Sequence, residues 1–323
     1  MIVEHEKDTF FFEKENLHNY LSSLTVYSKY RNHPTLSSED IRLHSFSLLS
    51  SLLRNKYTFT IDYKGQCQAL VSIQHVKWDS SHFNMPMARI FIFSCENINP
   101  NALGDCIMYA VKKYSELHGC KHYSVDVDID NYCVLNVLIG LGFEIMDFKK
   151  TFSSSFIEKI PSYERFLNRV RQYNSNDESR VLELIDNAGF ETRYTRDRYL
   201  NSRLSSGVYT EWMLSLINMF PDHRNAFVYE VNGGVEACGA VGEVDLNDCN
   251  VNRCFAGNSI YASSRKGVGG YAPLLYQLSK DAISRYGLIE STISLNLTSA
   301  LRVVEGLRPN KFTSVCSLRY FSL

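Results

Sequence analysis

No C-x-x-C pair occurs among the nine cysteines of this 323-residue chain. Cys249 and Cys254 come nearest to a ligand pair, and no second pair or adjacent histidine completes a zinc set. An odd count without ligand spacing predicts reduced thiols in a cytoplasmic protein, with no bound metal. Long hydrophobic runs are missing as well. None approaches a membrane span, and the opening "MIVEHEKDTFFFEKENLHNY" lacks the apolar core of a secretory leader. The sequon at Asn296 is therefore expected to stay unglycosylated. Neither charge is in surplus: 34 Lys and Arg against 35 Asp and Glu leave a net charge of −1. That balance offers no footprint for nucleic acid or an anionic membrane. A partner carrying phosphates has to be met by a local pocket.

What is present is apolar and aromatic residue, 45% and 13% of the chain, ample for packed cores. The length predicts two domains. Residues 15–55 alternate at helical spacing. "YTFTIDYKGQCQALVSIQHV" reads as a hairpin turning at Lys64-Gly65, and "MARIFIFSC" as a further strand. "ALGDCIMYAVKKYSELHG" is a helix ended by Gly119. Strand "HYSVDVDID", helix "CVLNVLIGLGF" and strand "EIMDFKKTF" follow, and 153–168 suits a linker. The second half begins again with two amphipathic helices and a three-strand meander whose Asn232-Gly233 is a hairpin signal. With Asp130 placed on Asn296, Gly140-Leu141 falls on Gly306-Leu307. We read two copies of one α/β unit, over 1–155 and 156–323.

The copies differ before their long helices. The first reads "CENINPNALGDC", the second "SSRKGVGGY" from Ser263 to Tyr271. Glycines at a helix N-terminus let an anion reach free backbone N–H groups. The spacing is not a Walker loop, since Lys266 precedes the glycines. It is not a dinucleotide fingerprint either, because it follows an antiparallel meander late in its domain.

This order of elements, with Ser264-Arg265-Lys266-Gly267-Val268-Gly269 matching [QR]-x-x-G-x-[GA] except at its first position and Asn296 after the next strand, resembles the GNAT superfamily of acyl-CoA N-acyltransferases. The resemblance implies tandem GNAT folds, each a mixed, mostly antiparallel sheet flanked by helices, with a degenerate first copy. It also implies acyl-CoA as co-substrate, bound by Ser264 through Gly270, by Asn296, and by Ser259, Ile260 and Tyr261 of the preceding strand, whose N–H groups would hold the oxyanion. "WDSSHFNMPMARI", "LGFEIMDFKKTF" and the stretch holding Arg193, Tyr194, Tyr209 and Trp212 are similar to segments of dTDP-4-amino-4,6-dideoxygalactose N-acetyltransferases. That narrower likeness implies transfer of acetyl or 3-hydroxybutanoyl to a dTDP-linked 3- or 4-amino sugar for surface polysaccharide such as O-antigen. Trp78, Phe83, Arg193, Tyr194, Tyr209 and Trp212 would hold the sugar nucleotide between the halves. A different amine acceptor, and a non-catalytic acyl-CoA sensor, are the rival readings.

The family's usual tyrosine acid, seven or eight residues past the Asn, is replaced by Val303 and Val304. Tyr209, Tyr261 and Tyr276 are substitutes by residue type, with Tyr209 preferred. Asp126, Asp128 and Asp130 share one strand face and read as a solvated edge. The nine histidines are scattered, with no evident acid–base partner. Oligomeric state is open, a homodimer included.

Overall fold

The computed structural model describes residues 2–4, 14–28, 30, 31, 33–157, 161–247 and 254–322; Cys249 lies outside these. The first half runs β1 (Ile2–Glu4), α1 (Lys14–Leu21), α2 (Ser38–Leu53), β2 (Thr58–Tyr63), β3 (Gln66–His75), α3 (Lys77–His82), β4 (Met87–Ser94), α4 (Pro100–His118), β5 (His122–Asp128), α5 (Tyr132–Gly140) and β6 (Glu144–Ser154). The second runs α6 (Pro161–Glu164), β7 (Val170–Gln172), α7 (Glu178–Asp186), α8 (Ser202–Ile217), β8 (Ala226–Val231), β9 (Gly234–Asp245), β10 (Cys254–Ser263), α9 (Tyr271–Tyr286), β11 (Ile289–Ser294), α10 (Thr298–Gly306) and β12 (Lys311–Phe321).

Local chemistry sets many of these boundaries. Lys64 and Gly65 both have positive φ, as do Asn232 and Gly233. Those are the torsions of tight two-residue hairpins, whose twist matches that of the strands they join. Ser37 and Asp40 form a reciprocal capping box at the head of α2. Gly119 and Gly287 close α4 and α9 in the left-handed conformation.

All twelve strands join one sheet in the order β1-β2-β3-β4-β5-β12-β6-β11-β10-β9-β8-β7. Only β4–β5 and β10–β11 are parallel. The centre shows an exchange that the repeat does not announce. β12, the last strand of the second half, pairs with β5 of the first, while β6, the last strand of the first, pairs with β11 of the second. β6 and β12 then pair with each other. β5 is thus an interior strand, which corrects its reading as a solvated edge. Its carboxylates are bound by cations, Asp126 by Arg89 at 2.7 Å and Lys149 at 3.2 Å and Asp128 by Arg31; Asp130, in the exposed turn after β5, is bound by Arg31 at 3.0 Å. The expected linker is also shorter than 153–168, because Ser153 and Ser154 still pair with Glu290 and Ile289.

Helices α4 and α5 cover one face of the sheet through a core that includes Val125, Leu138 and Cys316. α9 and α10 cover the same face further along, against Phe152 and Ile293. On the opposite face, α1 and α2 pack on Leu70, and α7 and α8 on Val228, Cys238, Ile260 and Ala262. Between those two helical layers the face is polar. Ser317 pairs with both Asp126 and Asp147, which puts the three in one row.

A strap ahead of α2 crosses this face and ties the halves together. Arg31 reaches β5, while Tyr30 and Leu36 pack with Leu246, Phe255 and Leu288 of the second half. Burial pushes His33 in this strap down to about 4, and Glu290 at 3.8 Å is too far to bond it. A depressed histidine stabilises fully above its unfolded value of about 6.5 and loses that contribution as pH falls towards 4. Urea midpoints should therefore drop between pH 6.5 and 4 in the native chain, and drop less in His33→Phe. A parallel decline in both proteins would refute the assignment.

Candidate acyl-CoA site

β10 and β11 touch at a single register pair, Ala256 with Ile289. Beyond it β10 carries a bulge between Gly257 and Ile260, with Asn258 at φ +55°. A bulge bends and twists its strand, so the two strands part and leave a gap in the sheet. Ser259 Oγ still reaches Ser291 Oγ at 3.3 Å across it. Tyr261 points to the α9/α10 face, packed with Val303, Val304 and Leu307. Ile260 and Ala262 point to the α7/α8 face.

The glycine stretch leaves β10 as two consecutive turns, Gly267 N–H donating to Ser264 O at 3.1 Å and Gly270 N–H to Gly267 O at 2.7 Å. Ser264 Oγ accepts from Lys266 N and Gly267 N and donates to Glu236, which Arg180 also binds at 3.0 Å. The glycines divide their labour. A Cβ on Gly267 would fall on the Glu236 carbonyl oxygen, and one on Gly270 would come 2.5 Å from the Tyr229 ring. These two are small so that the loop can press on β8 and β9. Gly269 alone faces open space, and Val268 is 74% exposed. The N–H groups of Val268, Gly269, Tyr271 and Ala272 donate to no acceptor among the described residues, and Pro273 has none to give. This cluster heads the sixteen-residue helix α9, so donors and helix dipole favour an anion there. Arg265 and Lys266 are exposed beside it.

The corresponding helix of the first half is closed. Asn99 Oδ1 accepts from Asn101 N at 2.9 Å and Ala102 N at 3.2 Å, Asn99 O accepts from Leu103 N, and Pro100 has no N–H. Its own cap satisfies the donors that α9 leaves free.

The six residues read as a sugar-nucleotide site lie where α3 packs on α8 and the loop ahead of it. His82 Nε2 lies 2.7 Å from Leu204 O, and its Nδ1 3.0 Å from Glu211. Trp78, 44% exposed, stacks on the His82 ring at 4.8 Å. Phe83 stacks on Tyr194, whose hydroxyl accepts from Arg193 at 2.6 Å and donates to Asp79 at 3.4 Å. Tyr209 donates to Thr192 and lies 6.3 Å from Trp212, ring to ring. Arg193 faces Asp126 and Asp79, which hold its charge. Asn296 lies by Ser294 and Arg196; with its oxygen turned to the guanidinium it accepts from Nη1 at 2.6 Å. The three tyrosines separate. Tyr209 is on the α7/α8 face, Tyr276 donates to Glu164 at 2.8 Å, and Tyr261 has a buried hydroxyl with no hydrogen bond among the described residues.

Two groupings escaped the sequence reading. His122 Nε2 lies 2.8 Å from Asp197, which also accepts from Arg319, so this histidine, like His82 beside Glu211, does have a carboxylate partner. The cavity beside them, lined by Met87, Ser124, Arg193 and Leu318, is small and partly open to solvent. The second grouping is Asp147, bonded to Ser294 Oγ at 2.7 Å. Burial raises its carboxyl above the usual range, although Ser294, Lys149 and Arg196 work the other way.

No protein-family model matches the sequence, and no curated protein matches it. By shape the chain is similar to a GCN5-related N-acetyltransferase from Sphaerobacter thermophilus, at TM-score 0.59 and 11% identity over 94% of this chain and 91% of that one. Looser likenesses are to a tandem GNAT protein from the clavulanic acid biosynthesis pathway (TM-score 0.47, 10% identity, 99% and 98% covered) and to a GCN5-related N-acetyltransferase from Kribbella flavida (0.42, 14%, 99% and 70%). Among the described residues no helix is long and apolar enough to cross a membrane. The chain has the GCN5-related N-acetyltransferase fold: a mixed, mostly antiparallel sheet flanked by helices and opened where parallel strands part.

Proposed function

We propose that the chain is an acyl-CoA-dependent N-acyltransferase whose co-substrate binds the second half alone. The observation that carries this is the set of free N–H groups at the head of α9, placed where the parted strand β10 ends. Val268, Gly269, Tyr271 and Ala272 take the pyrophosphate, Arg265 and Lys266 add charge, and the pantetheine arm follows Tyr261 into the gap. Bulged backbone at Ser259–Tyr261 meets the thioester oxygen and stabilises the oxyanion. Transfer is direct. The nearest cysteine, Cys238 beside Ala262, has a thiol pushed up to about 12 by burial and is no nucleophile near neutral pH.

The acceptor amine approaches from the α7/α8 face. We assign it to a dTDP-linked 3- or 4-amino dideoxy sugar, in the cytoplasm, on the way to a surface polysaccharide. The support is the meeting of Arg193, Tyr194, Phe83 and Trp78 at one junction, since diphosphate calls for guanidinium and thymine for an aromatic face. The donor acyl is acetyl or 3-hydroxybutanoyl. Release of CoA thiol from these two thioesters against dTDP-3-amino and dTDP-4-amino sugars tests donor and acceptor together. Release with other amines alone would remove the sugar assignment, and tight CoA binding without release would favour a sensor, the reading that Val303 and Val304 support.

Arg193→Ala should raise KM for the sugar nucleotide roughly tenfold or more and leave KM for acyl-CoA within about twofold. Equal changes in both would remove Arg193 from the sugar site.

A further inference from the structure

We propose that the first half supplies the proton acceptor of the second half's reaction: Asp147, on the exchanged strand β6, takes the proton of the attacking amine through Ser294. This rests on the acyltransferase reading above.

The argument begins with register. Ala256 stands opposite Ile289, and the strands are parallel. Counting forward past the bulge, which absorbs one extra residue of β10, Ser294 stands across the gap from Ala262, one residue beyond Tyr261, where β10 meets the thioester. Alternation along β11 turns Ile289, Ser291 and Ile293 to the α9/α10 face and Glu290, Thr292 and Ser294 to the α7/α8 face. Ser294 therefore fronts the side from which the amine arrives. Its hydroxyl donates to Asp147 Oδ1 at 2.7 Å and accepts from Asn296 N at 3.4 Å; with the Asn296 amide oxygen turned to Arg196, one lone pair is left for an incoming N–H. Asp147 is 3% exposed and Ser294 6%, so the gap is the route to the pair from the co-substrate.

The groups facing Asp147 are few and come from four directions. Ser317 of β12 lies beside it. Lys149 of β6 bonds Asp126 at 3.2 Å. Arg196, from the loop after α7, bonds Glu191 at 2.9 Å. Tyr209 of α8 bonds Thr192. Both cations are thus partly spent elsewhere, and Asp147 is a carboxylate with one hydroxyl partner and a raised affinity for a proton. A buried base of that kind is suited to an amine.

The step balances as follows. One proton of the substrate ammonium passes to Ser294 Oγ while the serine's own proton passes to Asp147. The freed nitrogen lone pair forms the C–N bond, and the C–S bond breaks. The second amine proton ends on the CoA sulfur, on the face that holds the Tyr261 hydroxyl. Asp147 returns its proton to solvent after the amide leaves.

The test uses the full chain with the best acceptor from the thiol-release panel. In the native protein kcat/KM for the amine should rise with pH through the raised carboxyl of Asp147, the base being active only when deprotonated. Asp147→Asn should lower kcat roughly 100-fold and remove that acidic limb, with the Kd for acetyl-CoA, read by calorimetry, unchanged. Ser294→Ala, a smaller perturbation should Asp147→Asn fold poorly, should lower kcat roughly tenfold and leave KM in place. Either variant retaining kcat within about threefold, with the limb intact, overturns the relay while leaving the acyltransferase reading standing. No thiol release by the native chain with any amine overturns both.

Discussion

Gly267→Ala will cost about 3 kcal/mol of stability and most of the affinity for acetyl-CoA. The added methyl would land on the Glu236 carbonyl oxygen, which is backbone in the middle of the second half's meander. A flexible side chain could swing away, but a β9 carbonyl moves only with its strand. The loop will lift instead, taking the Val268 and Gly269 N–H groups out of line. Gly269→Ala is the control. With nothing within 4 Å of its Cβ, the melting temperature should hold, and any loss of acetyl-CoA affinity is contact with the ligand itself. Calorimetric titration and thermal melts on both variants decide the matter. A Gly267→Ala protein as stable as native would show that the loop packs differently. Full affinity in both would move the pyrophosphate elsewhere.

Arg319→Met should be the most damaging single change on β12, at about 3–5 kcal/mol. Arg319 is buried, donates to Asp197 at 3.2 Å and to Glu144 at 3.0 Å, and lies 4.5 Å over the Tyr199 ring. Removing it strands the Asp197 carboxylate, buried with only His122 to neutralise it. The strand that carries it belongs to one half and holds up the other, so loss should appear in both. Denaturant unfolding followed by fluorescence of Trp78, in the first half, and Trp212, in the second, should give coincident transitions at a lower midpoint. Asp197→Asn combined with Arg319→Met should recover part of the loss. A midpoint unchanged from native would mean the pair lies outside the cooperative core.

Local chemistry was the legible part. The two positive-φ hairpins, the glycine-closed helices, the meander and the repeat are each written in a few adjacent residues, and the order of elements led to the fold. Pairing across the centre was not legible. "EIMDFKKTF" and "KFTSVCSLRYF" are both plain alternating strands, and nothing in either says which half it joins. The misreading of β5 as an edge followed from that, since its carboxylates needed β12 and β6 beside them to look interior. The glycines show a subtler limit. Their count pointed to an anion, but Gly267 and Gly270 answer to Glu236 and Tyr229, which are distant in sequence. Asp147 was passed over although a lone carboxylate two residues from Lys149 on an inward strand face is a signal worth weighing. Whether a given Asp lies on the inward face depends again on the partner strand.

The exchange of β6 and β12 also sets a timetable for making the protein. Ser317, which binds Asp126, lies 191 residues further along the chain. At about 5–20 residues per second the ribosome needs roughly 10–40 s to deliver it. For that interval β5 waits with one side unpaired and its row of carboxylates half answered. The first half is completed only when β12 emerges, after the rest of the second half's sheet, so newly made chains will depend on chaperones or on a slow, late closing step more than either half's size would imply.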